Sequence, residues 1–309
     1  MPSRRSFLEA GLAGAMALRA ASDGAPLVDD PEFRRGLRVW SPEPGVHREV
    51  GVIQPAGSGG KPAWGCAQWY SRFSLAVAPR ETLPDGECRF ADGAKAVTFG
   101  KDLVLALNGQ TEYQGRAPAR GDPWPHLLLE QPLIAHPRLP ALRSVPFAIE
   151  YLLLRSETLQ PAGFDAARHT AQFLLYITIQ NANRGAKGYG DYLWFGVPMY
   201  DARYPLPRRH AAADKGSAKK LGTGRFIFNP GGEVYSSRPA ADHEWVAIDR
   251  DLLPLMQESL EAAWKAGFLE DSRDAGDYQL GGINCGWEVT GPLDVAMQIR
   301  GLRLQAATR

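Results

Sequence analysis

The feature that most constrains the fold of this chain is an alternation of apolar and polar residues in several separate segments. It is cleanest in residues 172–180, where Leu174 is the exception, and it recurs in residues 66–77, 191–199 and 294–300. Successive side chains of a β-strand point to opposite faces, so this period of two predicts half-buried antiparallel strands. One face of each strand should lie in a core and the other should be open to solvent or a ligand.

Further apolar runs predict additional strands, and proline-containing segments predict loops at 117–125 and 205–207. The chain has 33 glycines and 24 prolines, which interrupt it too often for a helical protein. Without an internal repeat or a regular strand–helix rhythm, the pattern predicts a mainly β protein, an antiparallel two-sheet sandwich of the jelly-roll or lectin-like kind. The additional strands are expected at 102–107, 126–134, 145–154, 225–228 and 283–289.

One amphipathic helix is predicted near residues 251–266, where apolar residues recur at helical spacing. Asp249 or Asp251 is the candidate N-cap, and Gly267 supplies the stop.

The first residues, Ser3-Arg4-Arg5-Ser6-Phe7-Leu8 and the Ala/Gly-rich run to Ala21, resemble a bacterial twin-arginine export signal. Glu9 departs from the pattern, in which a lysine is frequent at that place. The resemblance implies recognition by the twin-arginine export machinery, cleavage after Ala20-Ala21-Ser22 and a periplasmic or secreted mature protein. The alternative is a disordered basic arm on a cytosolic protein.

These patterns divide the chain into three parts: a signal peptide at 1–22, a loop-rich segment at 23–62 and a single β-sandwich domain at 63–309. Removal of residues 1–22 changes the formal net charge from +1 to −1, which argues against a nucleic-acid partner. No apolar run of the mature part reaches membrane-spanning length.

The cysteines have no zinc-ligand spacing, and neither a metal nor a cofactor is predicted. One disulfide is compatible with an oxidising compartment, but the sequence does not choose the pair among Cys66, Cys88 and Cys285.

Amide and aromatic side chains recur on the non-core faces of the predicted strands. Sugars combine apolar CH faces with hydroxyl groups, so a carbohydrate site needs flat aromatic surfaces beside hydrogen-bonding side chains. Solvent-facing strand positions are polar in any case, which is the structural alternative. The candidate ligand-binding residues are Gln68, Tyr70, Arg72, Gln172, Tyr176, Gln180, Tyr192, Trp194 and Asn284.

Glu288 is the leading candidate for a catalytic acid, because it lies between Trp287 and Val289, where burial would raise its pKa. A glycosidase needs a second carboxylate nearby, and Asp191 and Glu150 are the candidates. His169 is a candidate general base for a polysaccharide lyase. Glu288 and His169 each have an alternative structural role as an ordinary hydrogen-bonded residue.

Three segments, 191–198, 224–230 and 284–294, resemble exported bacterial proteins, and the sandwich pattern is similar to that of lectin-like and jelly-roll carbohydrate-active proteins. The resemblance implies an exported protein that engages a carbohydrate, as a glycoside hydrolase or polysaccharide lyase. A non-catalytic glycan-binding module and a structural or interaction protein of the cell envelope are the alternatives.

Overall fold

A computed structural model of the protein describes residues 24–216 and 222–309. The predicted signal peptide at 1–22 therefore lies outside the described residues. In the described part, 18 strands follow one another along the chain. They are β1 (Ala25–Pro26), β2 (Leu37–Trp40), β3 (Glu49–Ile53), β4 (Trp64–Ala67), β5 (Arg80–Thr82), β6 (Cys88–Ala91), β7 (Lys95–Phe99), β8 (Leu103–Asn108), β9 (His126–Pro132), β10 (Leu142–Ser144), β11 (Pro146–Thr158), β12 (Ala171–Asn181), β13 (Tyr192–Asp201), β14 (His210–Ala213), β15 (Phe226–Asn229), β16 (Val246–Asp251), β17 (Tyr278–Val289) and β18 (Leu293–Thr308).

The described strands form two sheets of nine strands each. Sheet 1 has the order β16-β11-β18-β8-β7-β6-β5, and β1 and β10 also pair with β18. Sheet 2 has the order β14-β15-β13-β12-β17-β9-β4-β2-β3. The pairs β13–β15 and β2–β4 are parallel, and the other pairs are antiparallel. The predicted mainly β, two-sheet sandwich of the jelly-roll kind is confirmed.

The hydrophobic core lies between the two sheets and follows the sequence alternation. On β12, the side chains of Phe173, Leu175, Ile177 and Ile179 are fully buried. Burying each such side chain contributes roughly 1.5–3 kcal/mol. The indole of Trp287 on β17 crosses the core and donates a hydrogen bond of 2.9 Å to a carbonyl oxygen of β8 in the other sheet. The same alternation that fills this core places every second residue of sheet 2 on its outer face.

The prediction of a continuous strand at 66–77 is wrong beyond Ala67. The chain leaves β4 there and turns, because Tyr70 has a left-handed backbone with φ 60°. A short 3-10 helix over Leu75–Val77 follows, and the hydroxyl of Ser74 accepts a hydrogen bond from the N–H of Ala76 at its start. Apolar residues therefore alternate in this segment without forming a strand.

The segment 23–62 is not a separate loop-rich region in its described part. It contributes β1 to sheet 1 and β2 and β3 to sheet 2. Its residues therefore belong to the sandwich, and the predicted boundary at residue 62 falls inside the fold.

The α-helices in the described residues are α1 (Gly109–Glu112) and α2 (Leu253–Lys265). The latter confirms the predicted amphipathic helix and buries Met256, Leu260 and Ala263. Asp251 accepts a hydrogen bond from the N–H of Leu253, as expected of a side chain at a helix start. Neither helix in the described ranges has the length and apolar character needed to cross a membrane.

Candidate functional site

The outer face of sheet 2 is organised in three transverse rows, which the strand register defines. The first polar row contains Glu130, Asn284 and Tyr176 on β9, β17 and β12. The second polar row contains His126, Glu288 and Gln172 on the same three strands. The two polar rows are four residues apart along each strand, or about 13 Å.

The row between them has apolar or small side chains, and we call it the floor. Gly286 lies at its centre, with Leu128 and Leu174 opposite on the neighbouring strands. Pro198 extends it to β13, and on the β4 side Ala67 and Leu128 are packed against Trp40 and Trp69. We call the two polar rows and the floor between them the trough, and this band across the strands is the candidate site.

Glu288 lies directly opposite His126 in the second polar row. The carboxylate oxygen Oε1 of Glu288 is 3.9 Å from Nε2 of His126, which is beyond hydrogen-bonding distance. Their side chains are 23% and 12% exposed, respectively. The two groups are therefore close neighbours that share one enclosed environment.

Burial shifts the pKa of each member of this pair toward the neutral form. Burial, with a smaller contribution from the charge of Asp214, raises the pKa of Glu288 to about 7. It lowers the pKa of His126 to about 4, although the charge of Asp214 opposes this. Near neutral pH a large fraction of Glu288 is thus a protonated acid beside a neutral imidazole.

Glu130 in the first polar row has partners on the side away from Glu288. Its Oε1 atom accepts a hydrogen bond of 2.8 Å from the indole of Trp40 and lies 2.7 Å from Nε2 of His47. Burial raises the pKa of Glu130, and His47 opposes the shift. The close approach of Trp40 depends on Gly65, because a Cβ atom at Gly65 would lie 2.3 Å from the Trp40 ring.

Four side chains around the trough carry a buried polar atom that has no hydrogen-bond partner in the described residues. The amide oxygens of Asn284 and Asn229 are unpartnered acceptors, and Nε1 of Trp69 is an unpartnered donor. Nδ1 of His126 is the fourth atom. Leaving a buried polar atom unpaired costs about 1–3 kcal/mol. The trough therefore has unpaired acceptors and an unpaired donor, which suit a ligand that both donates and accepts hydrogen bonds.

Aromatic rings lie at both ends of the trough. Trp194 lies 5.8 Å from Tyr176 and 5.1 Å from Tyr192, measured between ring centroids. At the other end, Trp69 and Tyr70 lie 6.0 and 5.8 Å from the ring of His126. These flat surfaces suit the apolar face of a sugar ring.

Asp214 follows β14 and is held above the Trp194 end. Its carboxylate accepts hydrogen bonds from the backbone N–H groups of Gly216 and Thr223 and from the hydroxyl of Thr223. The same hydroxyl accepts a hydrogen bond of 3.3 Å from the indole of Trp194. The negative charge of Asp214 reaches Glu288, His126 and Tyr176.

Seven of the residues predicted from the sequence lie on the outer face as the alternation required, and four of these line the trough or its Trp194 end. Gln172 donates its amide hydrogen to Asp201 and is only partly available. The four are Tyr176, Trp194, Asn284 and Glu288. Tyr192 and Gln180 pair with each other further along the strands, eight residues from the second polar row.

Three of the predicted site residues follow β4 in the turn rather than a strand. Gln68 is fully buried, and its amide bonds the carbonyl of Trp40 and the hydroxyl of Ser74. Arg72 is bound to the backbone carbonyl of Glu112. Of the three, Tyr70 alone reaches the trough, through its contact with His126.

The predicted partners of Glu288 are not near it. Glu150 lies on β11 in the other sheet and is paired with Arg300. Asp191 is paired with Arg225 beside a separate cavity of about 290 Å³. It lies next to Tyr192, which is opposite Gln180 on β12. Gln180 is about 26 Å along β12 from Gln172, the residue opposite Glu288.

His169, the predicted lyase base, has a structural role. It is buried, and its Nδ1 atom accepts a hydrogen bond of 3.0 Å from the N–H of Asp165. Nε2 lies 3.0 Å from the carbonyl oxygen of Pro118. Both ring nitrogens are therefore occupied in a loop that leads into β12.

Sequence reasoning missed several residues of the trough. Leu129 faces the core and Glu130 follows it on β9, so the alternation alone could have predicted that Glu130 lies on the outer face. Asn229 is placed by a cross-strand approach over Gly196, where a Cβ atom would lie 1.7 Å from its amide oxygen. No local sequence pattern encodes that contact, nor the arrival of Trp40, His47 and Asp214 from other parts of the chain.

No protein-family model matches this chain, and no curated protein does. Among solved structures, an endoglucanase, Cel12A, from Rhodothermus marinus matches 75% of this chain and 97% of its own, at 9% identity and a TM-score of 0.40. A family 12 xyloglucanase from Bacillus licheniformis matches 74% of this chain and 97% of its own, at 9% identity and a TM-score of 0.40. The family 11 xylanase from Neocallimastix patriciarum matches 74% and 95%, at 10% identity and a TM-score of 0.35. These values are too low to transfer an activity or a residue's role to this chain.

Proposed function

We propose that the protein binds a glycan across the outer face of sheet 2 and hydrolyses it, with Glu288 as the general acid. The observation that carries this proposal is the position of Glu288 in the wall of a trough, with a pKa raised to about 7. A carboxylic acid that keeps its proton near neutral pH can protonate the oxygen of a glycosidic bond as the bond breaks.

The surroundings of Glu288 support a carbohydrate ligand. The unpartnered oxygens of Asn229 and Asn284 require donors, and the unpartnered N–H of Trp69 requires an acceptor. Sugar hydroxyls provide both. The apolar floor around Gly286 and the rings of Trp194 and Tyr176 match the CH faces of pyranose rings.

Hydrolysis needs a second carboxylate, which takes a proton from the attacking water. Asp214 is our candidate, since its charge reaches Glu288. In the reaction, Glu288 gives a proton to the departing sugar oxygen, water adds to the anomeric carbon and Asp214 takes the proton of the water. One water molecule is consumed, and proton exchange with solvent restores both carboxyl groups.

The ion pairs around the site favour hydrolysis over lyase chemistry. A lyase acting on a uronate needs a cation that faces the substrate carboxylate. Arg225 is already paired with Asp191, and Arg72 contacts Glu112. His126, next to Glu288, has a pKa lowered to about 4 and is neutral at physiological pH.

A non-catalytic glycan-binding module is the second candidate, and the state of the other carboxylates favours it. Both oxygens of Asp214 already accept hydrogen bonds from Gly216 or Thr223. One oxygen of Glu130 is held by Trp40 and His47. If these bonds persist in the complex, the ligand would be bound but not cleaved.

The decisive experiment combines a glycan array with an assay for reducing ends released from soluble polysaccharides. The hydrolase proposal predicts that Glu288→Gln keeps binding and loses turnover at least 100-fold, and that activity falls above about pH 7. Glu150→Gln is the matched control, because Glu150 lies in the other sheet. Binding without turnover in the native chain would establish the binding module. The absence of both would favour a structural or interaction protein of the envelope.

We further propose that the protein is exported by the twin-arginine machinery and acts in the periplasm or outside the cell. The support is the motif at Ser3–Leu8. Replacement of Arg4 and Arg5 by lysine should retain a fused reporter in the cytoplasm, while the native leader exports it. Export that is independent of both arginines would contradict this proposal.

A further inference from the structure

A buried charged cluster connects sheet 1 to the turn that carries Trp69 and Tyr70. It consists of Lys95 on β7, Asp92, Glu112 on α1 and Ser71. The side chains of Lys95 and Glu112 are 0% and 1% exposed. The ammonium Nζ of Lys95 lies 2.9 Å from the carboxylate of Asp92 and 3.8 Å from that of Glu112.

The charged side chains of this cluster form hydrogen bonds with three consecutive residues of the turn, 71–73. The hydroxyl of Ser71 accepts a hydrogen bond from Lys95 and donates one to Glu112. The backbone N–H of Arg72 donates to the other carboxylate oxygen of Glu112 at 2.9 Å. Lys95 also donates to the carbonyl of Phe73 at 3.1 Å.

Residues 71–73 directly follow Tyr70, whose backbone is strained. Tyr70 has φ 60°, a conformation that a bulky side chain rarely adopts unless its surroundings enforce it. Its N–H donates to the carbonyl of Pro42 at 2.9 Å, and the carbonyl of Trp69 accepts a hydrogen bond from the N–H of His126 at 3.0 Å. The turn is therefore fixed from both sides while its two rings lie against His126.

We infer that the cluster of Lys95, Ser71, Glu112 and Asp92 is a positioning device that holds Trp69 and Tyr70 against His126 and thereby keeps the His126–Glu288 pair enclosed. The inference rests on the proposed function for its purpose, since a preorganised wall lowers the cost of ordering a bound ligand. The buried charges face the turn and not the trough, so these residues act through Trp69 and Tyr70.

The test needs no ligand. Ser71→Ala removes the hydroxyl that links Lys95 to Glu112, and Lys95→Met removes the cation. The titrations of His126 and Glu288 are followed by NMR in the folded variants. We expect the pKa of His126 to rise from about 4 toward 6.5 and that of Glu288 to fall from about 7 toward 4.5, as loosening of the turn admits water.

Ser259→Ala is the matched control. Ser259 is also fully buried, but its hydroxyl bonds the carbonyl of Met256 within α2. It should leave both titrations unchanged even where it lowers the melting temperature. Unchanged titrations in Ser71→Ala, with a lower melting temperature, would show that the cluster supports stability alone and would overturn the inference. If Lys95→Met fails to fold, Ser71→Ala decides. A failed glycan assay would leave this titration result intact, so the two proposals fail separately.

Discussion

Glu288 and His126 face each other across the β17–β9 pair, and the same burial drives their pKa values apart. The carboxyl pKa rises to about 7 and the imidazole pKa falls to about 4. Between these values both side chains are largely neutral. The fold thus avoids enclosing a charge, and the Glu288 carboxyl group keeps its proton beside the trough.

The raised pKa of Glu288 should lower the stability of the folded state at high pH, and Glu288→Gln should remove this effect. In the folded state Glu288 binds its proton more tightly than the ordinary value of 4.5, so native stability falls as pH rises from about 4.5 through 7. The glutamine variant avoids this loss. At pH 8 we expect the free energy of unfolding of Glu288→Gln to exceed that of the native chain by up to about 3 kcal/mol. This difference should disappear below pH 4.5.

Urea unfolding at a series of pH values measures this difference. Glu150→Gln provides the control, since Glu150 is paired with Arg300 in sheet 1. A stability difference for Glu288→Gln that does not depend on pH would show that the pKa of Glu288 is not raised in the folded state.

Asp214 should act on Glu288 through its charge. Asp214→Asn removes the charge and keeps an acceptor oxygen, so the pKa of Glu288 should fall below that of the native chain. Thr223→Val removes the hydroxyl that bonds Asp214 but leaves the charge in place. NMR titration of both variants separates the two effects, and an unchanged pKa in Asp214→Asn would remove Asp214 from the site.

Trp194 should contribute to ligand affinity by stacking. Trp194→Ala is expected to weaken the binding of a glycan identified on the array at least tenfold, or about 1.4 kcal/mol. Trp245→Ala is a suitable control, since its ring stacks with Arg300, which pairs with Glu150 of sheet 1. Calorimetric titration of each variant gives the comparison. Equal affinities for the two variants would place the ligand elsewhere.

The cysteines should remain thiols even in an oxidising compartment. All three are free and buried in the described residues. Cys66 and Cys285 lie on either side of Leu129, one strand spacing away in each direction, which puts them about 10 Å apart. That separation is too long for a disulfide. We expect a thiol reagent to label three cysteines in denatured protein and almost none in native protein, and labelling of fewer than three after denaturation would indicate a bridge.

The fold could be predicted from the sequence where local alternation and burial agree. β12 and β17 show this, because the core-facing side chains of Phe173 and Trp287 leave Tyr176 and Glu288 on the other face. The same logic failed after Ala67, where the left-handed Tyr70 ends the strand although apolar residues continue to alternate. The hydrogen bonds that hold this turn come from Lys95 and Glu112, which are distant in the sequence.

The site was only partly predictable for a related reason. Alternation places a side chain on a face but does not say which strands are neighbours or where along them a residue lies. Glu150 has a polar, outward position like that of Glu288, yet it belongs to the other sheet. Asp191 belongs to the correct sheet but lies at the far end of β12 and β13. Register and strand order, which arise from tertiary packing, decide which carboxylates meet.

A direct titration of the Glu288 carboxyl group tests whether the outer face of sheet 2 encloses it as a protonated acid. The carboxyl carbon of each glutamate in ¹³C-labelled protein is followed by NMR from pH 3 to 9, and Glu288→Gln assigns the resonance. We expect a midpoint near 7 for Glu288. A midpoint near 4.5, the ordinary value for glutamate, would show an open and solvated carboxylate and would contradict the proposed general acid.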